Sequence, residues 1–153
     1  MWRNVLQTIK AVLSLAMFAF VLLCAVLLTD PFQLSSLLDS GVRVTHQYYL
    51  YDHSSCAQMR SRLSFREWLW LEGESVTLSF VGEEQAAEYV ERLLHRAGVQ
   101  IVAKETWMDA HSTYVYVPNG GAGMRLFGGV VNLHVVRRGR FVSVGAPIIF
   151  GGY

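Results

Sequence analysis

The longest apolar run in the chain lies near its N-terminus. Residues 11–29 form a run of nineteen residues without a charge. As a helix the run spans about 28 Å, close to the thickness of the hydrocarbon core of a bilayer. A cleaved signal peptide begins in the same way, but no small-residue cleavage site follows Val26, Leu27 and Leu28, and the run is longer than usual for such a peptide. We therefore predict an uncleaved transmembrane anchor.

The charges on either side of this run predict its orientation. Arg3 and Lys10 precede the run, and Asp30 and Asp39 follow it. Because positive charge favours the cytoplasmic side, residues 1–10 are predicted in the cytoplasm and everything after the anchor outside it. The predicted location is the cell membrane, crossed once.

The pattern changes after the anchor. Residues 30–41 have the composition of a juxtamembrane linker, and residues 42–153 form the predicted extracytoplasmic domain. Residues 42–52 have the two-residue repeat of a strand. Residues 53–65 are polar and predict a short helix or a loop.

The middle of the chain predicts a hairpin and then a helix. Residues 67–71 and 76–81 are β-prone runs joined by a segment with Gly73 in the predicted turn. Residues 83–97 have an apolar stripe of period 3.6 and are followed by Gly98, so we expect a helix that lies on a sheet. The stripe consists of Ala86, Tyr89, Val90, Leu93, Leu94 and Ala97.

The rest of the chain predicts strands, namely 99–107, 112–117, 130–137 and 140–150. Residues 118–123 are predicted as a loop, and Arg138 and Gly139 as the turn of the last hairpin. Pro147 favours an edge position or a terminal bulge for the final strand. From residue 76 the predicted order is β-α-β-β-β-β. Strands grouped after one amphipathic helix predict an α+β fold, an antiparallel sheet with a helix on one face and the other face open.

Composition and charge exclude several classes of protein. Of 153 residues, 52% are hydrophobic, and the formal net charge is +1. The mean hydropathy of +0.30 agrees with a membrane segment. Residues 30–153 are close to neutral, so they offer no basic field for nucleic acid, and no nucleic-acid partner is predicted. The two cysteines form no CxxC motif and cannot build a disulfide scaffold.

Residues able to catalyse reactions or bind metals are scattered along the chain. The five histidines are His46, His53, His95, His111 and His134. Their spacing includes no HxH, HxxxH or HExxH, so no metal site, cofactor or catalytic residue is predicted. We expect Cys24 to face lipid within the anchor. Cys56 is interpreted as a buried thiol, with pairing between two chains as the alternative.

Two groups of side chains form the candidate interaction surface. Trp68 and Trp70 share one face of the predicted first hairpin strand and are exposed if the neighbouring leucines point into the core. Arg137, Arg138 and Arg140 cluster at the tip of the predicted last hairpin. Such a cluster is ordinarily solvated, and anionic lipid headgroups or wall polymers are its alternative partners.

The C-terminal third carries the segments STYVYVPNGG, GGVVNLHVVRR and VSVGAPIIFGGY. These segments, within residues 105–153, resemble the C-terminal pattern of the YwmB-type family of exported proteins of spore-forming Gram-positive bacteria. The matching residues are Ser112, Tyr114, Pro118, Gly128, Gly129, Asn132, Leu133, Val135, Arg137, Gly145, Pro147, Ile149 and Tyr153. The sequence departs from the pattern at His134, Ala146 and Gly152. The resemblance implies a TATA-box-binding-protein-like fold, for which the predicted order from residue 76 corresponds to a single repeat, and it supplies no functional residues.

These observations predict a membrane-anchored extracytoplasmic protein that is not an enzyme. Its expected partner is another envelope or membrane protein, in the cell envelope or in sporulation, bound by the open sheet face or an edge strand. One alternative is an envelope protein that binds a small ligand or lipid, although no small-molecule substrate is identifiable. The other is a cell-wall hydrolase that uses Glu67, Glu72 and Glu74 beside the two tryptophans.

Overall fold

The computed structural model describes residues 2–28, 34, 43–50, 58–96, 98–118 and 120–150. Two compact units make up the chain, Met1–Pro31 and Phe32–Tyr153. The predicted linker of residues 30–41 lies outside the described residues except for Leu34, and so do His53, Cys56 and residues 151–153.

The first unit contains one long helix, α1 (Trp2–Leu28). Its segment Gln7–Cys24 is long and apolar enough to cross a membrane, and it is the one such helix in the described part of the chain. The apolar side chains of this segment are exposed, whereas Cys24 is half-buried. A helix of this length and composition, with no core to cover it, fits the predicted anchor.

The second unit is an antiparallel sheet domain, and its described residues include the helices α2 (Phe65–Trp68) and α3 (Glu83–Leu94). Its strands are β1 (Arg43–Leu50), β2 (Gln58–Arg60), β3 (Leu71–Ser79), β4 (Gln100–Trp107), β5 (Ala110–Tyr116), β6 (Met124–Leu126), β7 (Gly129–Val131), β8 (Leu133–Arg138) and β9 (Phe141–Ala146). Seven strands form one sheet in the order β2-β1-β3-β9-β8-β5-β4, and β6 pairs with β7 separately. The predicted α+β class is confirmed.

Helix α3 packs on one face of the sheet, here called the helix face. Ala86, Tyr89 and Leu93 of the predicted stripe are buried, while Val90 and Leu94 are half-buried at its side. The strand residues beneath the helix are Val76, Leu78, Val115, Leu133, Val135, Val142, Val144 and Ala146. Leu34 is buried in the same core. Apolar burial of this stripe is what stabilises a helix of only twelve residues.

The opposite face, here called the open face, is partly covered by two segments. Residues 147–150 leave the end of β9 and turn back, so that Phe150 packs on Tyr49 with ring centroids 5.3 Å apart. The β6–β7 hairpin brings Phe127 to 4.7 Å from the ring of Tyr114. The uncovered part of this face lies over the central strands.

The predicted hairpin of residues 67–71 and 76–81 is wrong. Ser64 and Glu67 form a capping box that starts α2, and β3 then runs without a turn from Leu71 to Ser79. Gly73 lies within β3, where a Cβ atom would come 2.8 Å from the carbonyl oxygen of Ala146. This glycine therefore permits close packing of two chain segments and does not form a turn.

Four smaller expectations also change. Residues 58–60 form strand β2, not the predicted helix or loop. The predicted strand 130–137 is divided at Asn132, whose side chain bonds both backbone groups of Val117. The last turn consists of Gly139 and Arg140. Strand β9 lies in the middle of the sheet, between β3 and β8, and not at the predicted edge. Pro147 does not prevent this, because it follows the last residue of β9 and removes no hydrogen bond from the ladder.

Candidate functional site

A groove of about 470 Å³ lies on the helix face beside α3. The groove lies between the helix and the outer strands β4 and β5, beyond Val115 of β5, which is buried in the core beneath the helix. Val90 and Leu94 of the helix and Ile101 of β4 supply apolar walls. The volume lies within the range of ordinary ligand sites, and the walls favour an apolar occupant.

The alternation of the strands places polar side chains on the floor of this groove. Lys104 and Thr113 are opposite each other in the β4–β5 register, as are Thr106 and His111. His111 is in turn opposite Arg137 of β8. The Oγ1 atom of Thr106 lies 3.2 Å from Nδ1 of His111. Two cationic side chains, Lys104 and Arg137, thus lie beside the apolar walls.

The helix contributes the Glu91 carboxylate and the His95 imidazole to the groove's rim. His95 Nε2 and Glu91 Oε1 are 3.8 Å apart, one helical turn from each other. Both side chains are largely exposed, so their attraction is screened by water. The groove therefore combines apolar walls with Lys104 and Arg137 on its floor, and the carboxylates of Glu91 and Glu105 also line it.

Strand β4 is an edge of the sheet. Within the described residues it pairs only with β5. The second half of the strand is exposed, and a register shift between Ile101 and Ala103 interrupts its first half. Backbone groups on the outer side of an edge strand are available to a further strand. The charged residues Lys104 and Glu105 restrict which sequences can pair there.

A second depression, of about 280 Å³, lies on the open face. Half of its lining residues carry hydroxyl or amide groups, namely Gln47, Ser75, Thr77 and Ser143, and Val136, Phe141 and Ile149 supply apolar surface. The Oγ1 atom of Thr77 and Oγ of Ser143 are 2.9 Å apart and bond across β3 and β9. These hydroxyl groups satisfy one another, so the depression is a weaker candidate than the groove.

The structure separates the residues of the predicted interaction surface. Trp68 ends α2 and is half-buried, and Trp70 is exposed in the turn before β3. Their predicted place on a strand is wrong, because the capping box makes Trp68 helical. Arg138 and Arg140 lie beside the other end of β3, and Arg137 lines the groove. The length of β3 thus separates the tryptophans from the arginines.

The arginines differ in their surroundings. Arg138 Nε lies 2.9 Å from Oδ2 of Asp109, and this ion pair lowers the pKa of Asp109 below its ordinary value. The Arg140 guanidinium lies 5.2 Å from the centre of the Phe141 ring. Only Arg137 of the three lines the groove.

The carboxylates considered for a hydrolase have separate roles. Oε2 of Glu67 accepts hydrogen bonds from the backbone N–H and the hydroxyl of Ser64, at 2.8 and 2.7 Å, and these bonds lower the pKa of Glu67. Oε1 of Glu67 also lies 3.5 Å from Arg60. Glu72 is exposed on β3, whereas Glu74 is buried. Glu67 therefore stabilises the start of a helix.

The described histidines lie on separate elements. His134 is buried and stacks on Tyr114, with ring centroids 4.3 Å apart. Burial lowers the pKa of His134 from 6.5 to about 4, so the ring is neutral at physiological pH. The Ile149 N–H points to its Nδ1 at 3.4 Å. Among the described residues, no three His, Cys, Asp or Glu side chains come together as metal ligands.

Sequence reasoning missed the groove and one exposed aromatic residue. Trp107 and Met108 lie at the tip of the β4–β5 hairpin and are 74% and 82% exposed. A tryptophan at the end of a predicted strand was the available signal. The groove had no such signal, because its residues come from a helix and three strands.

The fold defines the protein's class as an antiparallel α+β domain in a chain with one helix of membrane-spanning length. A scan against protein-family models finds no match, and searches of curated proteins and of solved structures also find none. The YwmB-type resemblance and the TATA-box-binding-protein-like fold therefore stay predictions.

Proposed function

We propose that this chain is a membrane-anchored, extracytoplasmic protein that is not an enzyme and binds another envelope or membrane protein. Its domain would hold an extended segment of the partner along edge strand β4, beside the groove. The observation that carries the proposal is the outer side of β4, which no described strand pairs with, next to the 470 Å³ groove. A role in sporulation belongs to the same proposal and depends on the YwmB-type resemblance.

The chemistry of the site supports this binding mode. A strand added to β4 would gain backbone hydrogen bonds, and alternate side chains of the added strand would point toward the groove. The apolar walls suit an aliphatic or aromatic side chain of the partner. Lys104 and Arg137 suit a neighbouring carboxylate, so the preferred segment combines apolar and acidic residues.

The test uses site-specific photo-crosslinking of the full chain in intact host cells. A photo-reactive amino acid replaces Thr106, which lines the groove, or Gln85, which is exposed on α3 and does not line it. We expect one discrete protein adduct from position 106 and none from position 85. Equal yields at the two positions, or no protein adduct at position 106, would contradict the proposal.

A matched pair of variants tests the groove itself. Ile101→Glu places a charge in the apolar wall, and Val130→Glu places one at a similarly exposed position on β7 outside the groove, since the native residues are 48% and 42% exposed. Crosslinking at position 106 should fall about tenfold with Ile101→Glu, the effect of about 1.4 kcal/mol of lost binding. It should be unchanged with Val130→Glu. Equal losses in the two variants would indicate general damage to the domain.

A second candidate is binding of a small amphiphile, such as a lipid with an anionic head. The apolar walls beside Lys104 and Arg137 favour it, and the groove is large enough for part of such a molecule. The same experiment distinguishes the candidates. A small ligand would add a few hundred daltons to the chain at position 106 by intact mass, without a protein adduct.

A further inference from the structure

Three loops lie side by side at one end of the sheet. They are the β4–β5 tip (107–109), the β8–β9 turn with the first residue of β9 (139–141), and the β3–α3 loop (80–82). Ala110 is opposite Arg138, and Phe141 is opposite Ser79, so neighbouring strands bring the loops together. The Phe80 N–H also donates to the Arg140 carbonyl oxygen at 3.1 Å. These three segments are called the loop end.

The loop end presents apolar side chains to the outside. Val81 is 88% exposed, and Trp107 and Met108 are nearly as exposed. They project from two different loops, and Phe141, opposite Ser79 at the same end of the sheet, is 44% exposed. Apolar side chains gathered at loop tips are characteristic of a surface that contacts another phase or molecule.

The polar groups of the loop end are arranged as expected for a membrane interface. The ion pair of Arg138 and Asp109 joins the β8–β9 turn to the β4–β5 tip. Arg140 lies over Phe141, and Glu83 lies close to Gly139. The end therefore carries charges of both signs, without an excess of positive charge. Tryptophan and arginine beside apolar side chains match the headgroup region of a bilayer, where ring, chain and charge all find partners.

The length of chain between the anchor and the domain limits how far apart they can be. Strand β1 begins at Arg43, opposite Ser79, so the chain enters the sheet at the same end as the three loops. Leu34, six positions after the last residue of α1, already belongs to the core of the domain. Six residues reach at most about 20 Å when extended. An anchored chain thus keeps the domain within reach of lipid.

We propose that the loop end docks on the bilayer surface, with Trp107, Met108 and Val81 inserted among the lipid headgroups. The partner is the lipid interface itself, of zwitterionic or anionic composition. This inference is independent of the proposed partner-binding groove, because no residue of 80–82, 107–109 or 139–141 lines the groove. Docking at the loop end would leave the edge of β4 open along its length to a partner in the envelope.

The test measures quenching of a fluorescent dye by labelled lipid. The full chain, with Cys24→Ser and Cys56→Ser, is reconstituted in nanodiscs that contain a lipid with a nitroxide near its headgroup. The dye is attached at Met108→Cys or, on a different loop, at Val81→Cys. The matched control is Gln100→Cys, an exposed position at the other end of β4, about 20 Å from Trp107 along the strand.

We expect quenching at positions 108 and 81 to exceed that at position 100 by at least about threefold, as for side chains at headgroup depth. Agreement of two probes on separate loops guards against misfolding of either variant. Equal quenching at all three positions overturns the inference. So does a dye at position 108 that is shielded from water but not quenched by lipid, because a protein contact, such as a second copy of the chain, then covers the loop end.

Discussion

At the scale of the residue, the pKa of the His134 side chain is lowered by burial. This side chain lies on the open face between the Tyr114 ring and the C-terminal segment. The neutral imidazole ring can stack on the Tyr114 ring without a counterion. The sequence identified this position only as a histidine in a strand, because the stacking partner and the covering segment are both distant in the chain.

The pH dependence of stability follows from the lowered pKa of His134. Between pH 6.5 and about 4 the unfolded chain binds a proton that the folded chain excludes. The stabilisation is therefore complete above pH 6.5 and falls as the pH decreases, by up to about 1.4 kcal/mol per pH unit. Urea unfolding of the full chain in detergent, followed by tryptophan fluorescence, measures this slope.

The control for this prediction is a second histidine. His134→Gln should reduce the slope, whereas His111→Gln, at an exposed position, should leave it unchanged. Glu67 and Asp109 have lowered pKa values, so the stability they contribute is lost only as the pH falls through those values. Their contribution is common to all variants. Identical slopes in the two glutamine variants would contradict the burial of a neutral His134.

At the scale of the element, the packing of the C-terminal segment 147–150 on β9 depends on the absence of a side chain at Gly145. A Cβ atom on Gly145 would lie 2.6 Å from Cγ1 of Ile149 and 3.0 Å from backbone atoms of Ile148 and Ile149. The backbone of the segment cannot yield as a flexible side chain would. Close packing of this segment on β9 thus requires glycine at position 145.

We expect Gly145→Ala to destabilise the domain by about 1–3 kcal/mol, the usual cost of overpacking. Hydrogen exchange of the Ile149 amide, which faces His134, should accelerate with it. The control is Gly82→Ala, where a Cβ atom meets nothing within 4 Å and a smaller loss of about 0.5–1 kcal/mol is expected, because Gly82 is the N-cap of α3 and alanine is the poorer cap. Equal effects of the two substitutions would argue against the packing of this segment.

At the scale of the whole molecule, the orientation across the membrane decides which partners are accessible. The charges flanking α1 predict that the sheet domain is extracytoplasmic. The prediction can be tested with single cysteines in a Cys24→Ser, Cys56→Ser background. A membrane-impermeant maleimide should label Gln100→Cys in intact cells, and should label Asn4→Cys only after permeabilisation.

The reverse labelling pattern would place the domain in the cytoplasm and exclude an envelope partner for the groove. Lipid docking by the loop end would survive that result, because it requires a bilayer and not a particular side of it. The two proposals can therefore fail separately.

The two main helices and the fold class follow from local patterns in the sequence. The uncharged run of residues 11–29 and the stripe around Ala86, Tyr89 and Leu93 depend on periods within one segment, and such periods are legible without knowledge of neighbours. The alternation of the later strands likewise predicted an antiparallel sheet with one covering helix. The observed sheet confirms the predicted α+β class.

Which segments lie next to each other depends on tertiary contacts. The continuity of β3, where the sequence predicted a turn at Gly73, separates Trp68 and Trp70 from Arg138 and Arg140. The groove and the loop end also depend on the strand order, in which β9 lies between β3 and β8 and leaves β4 at the edge. Strand pairing depends on contacts between residues far apart in sequence, and no local pattern specifies them. For that reason the candidate sites, which combine residues from distant segments, could not be predicted from the sequence.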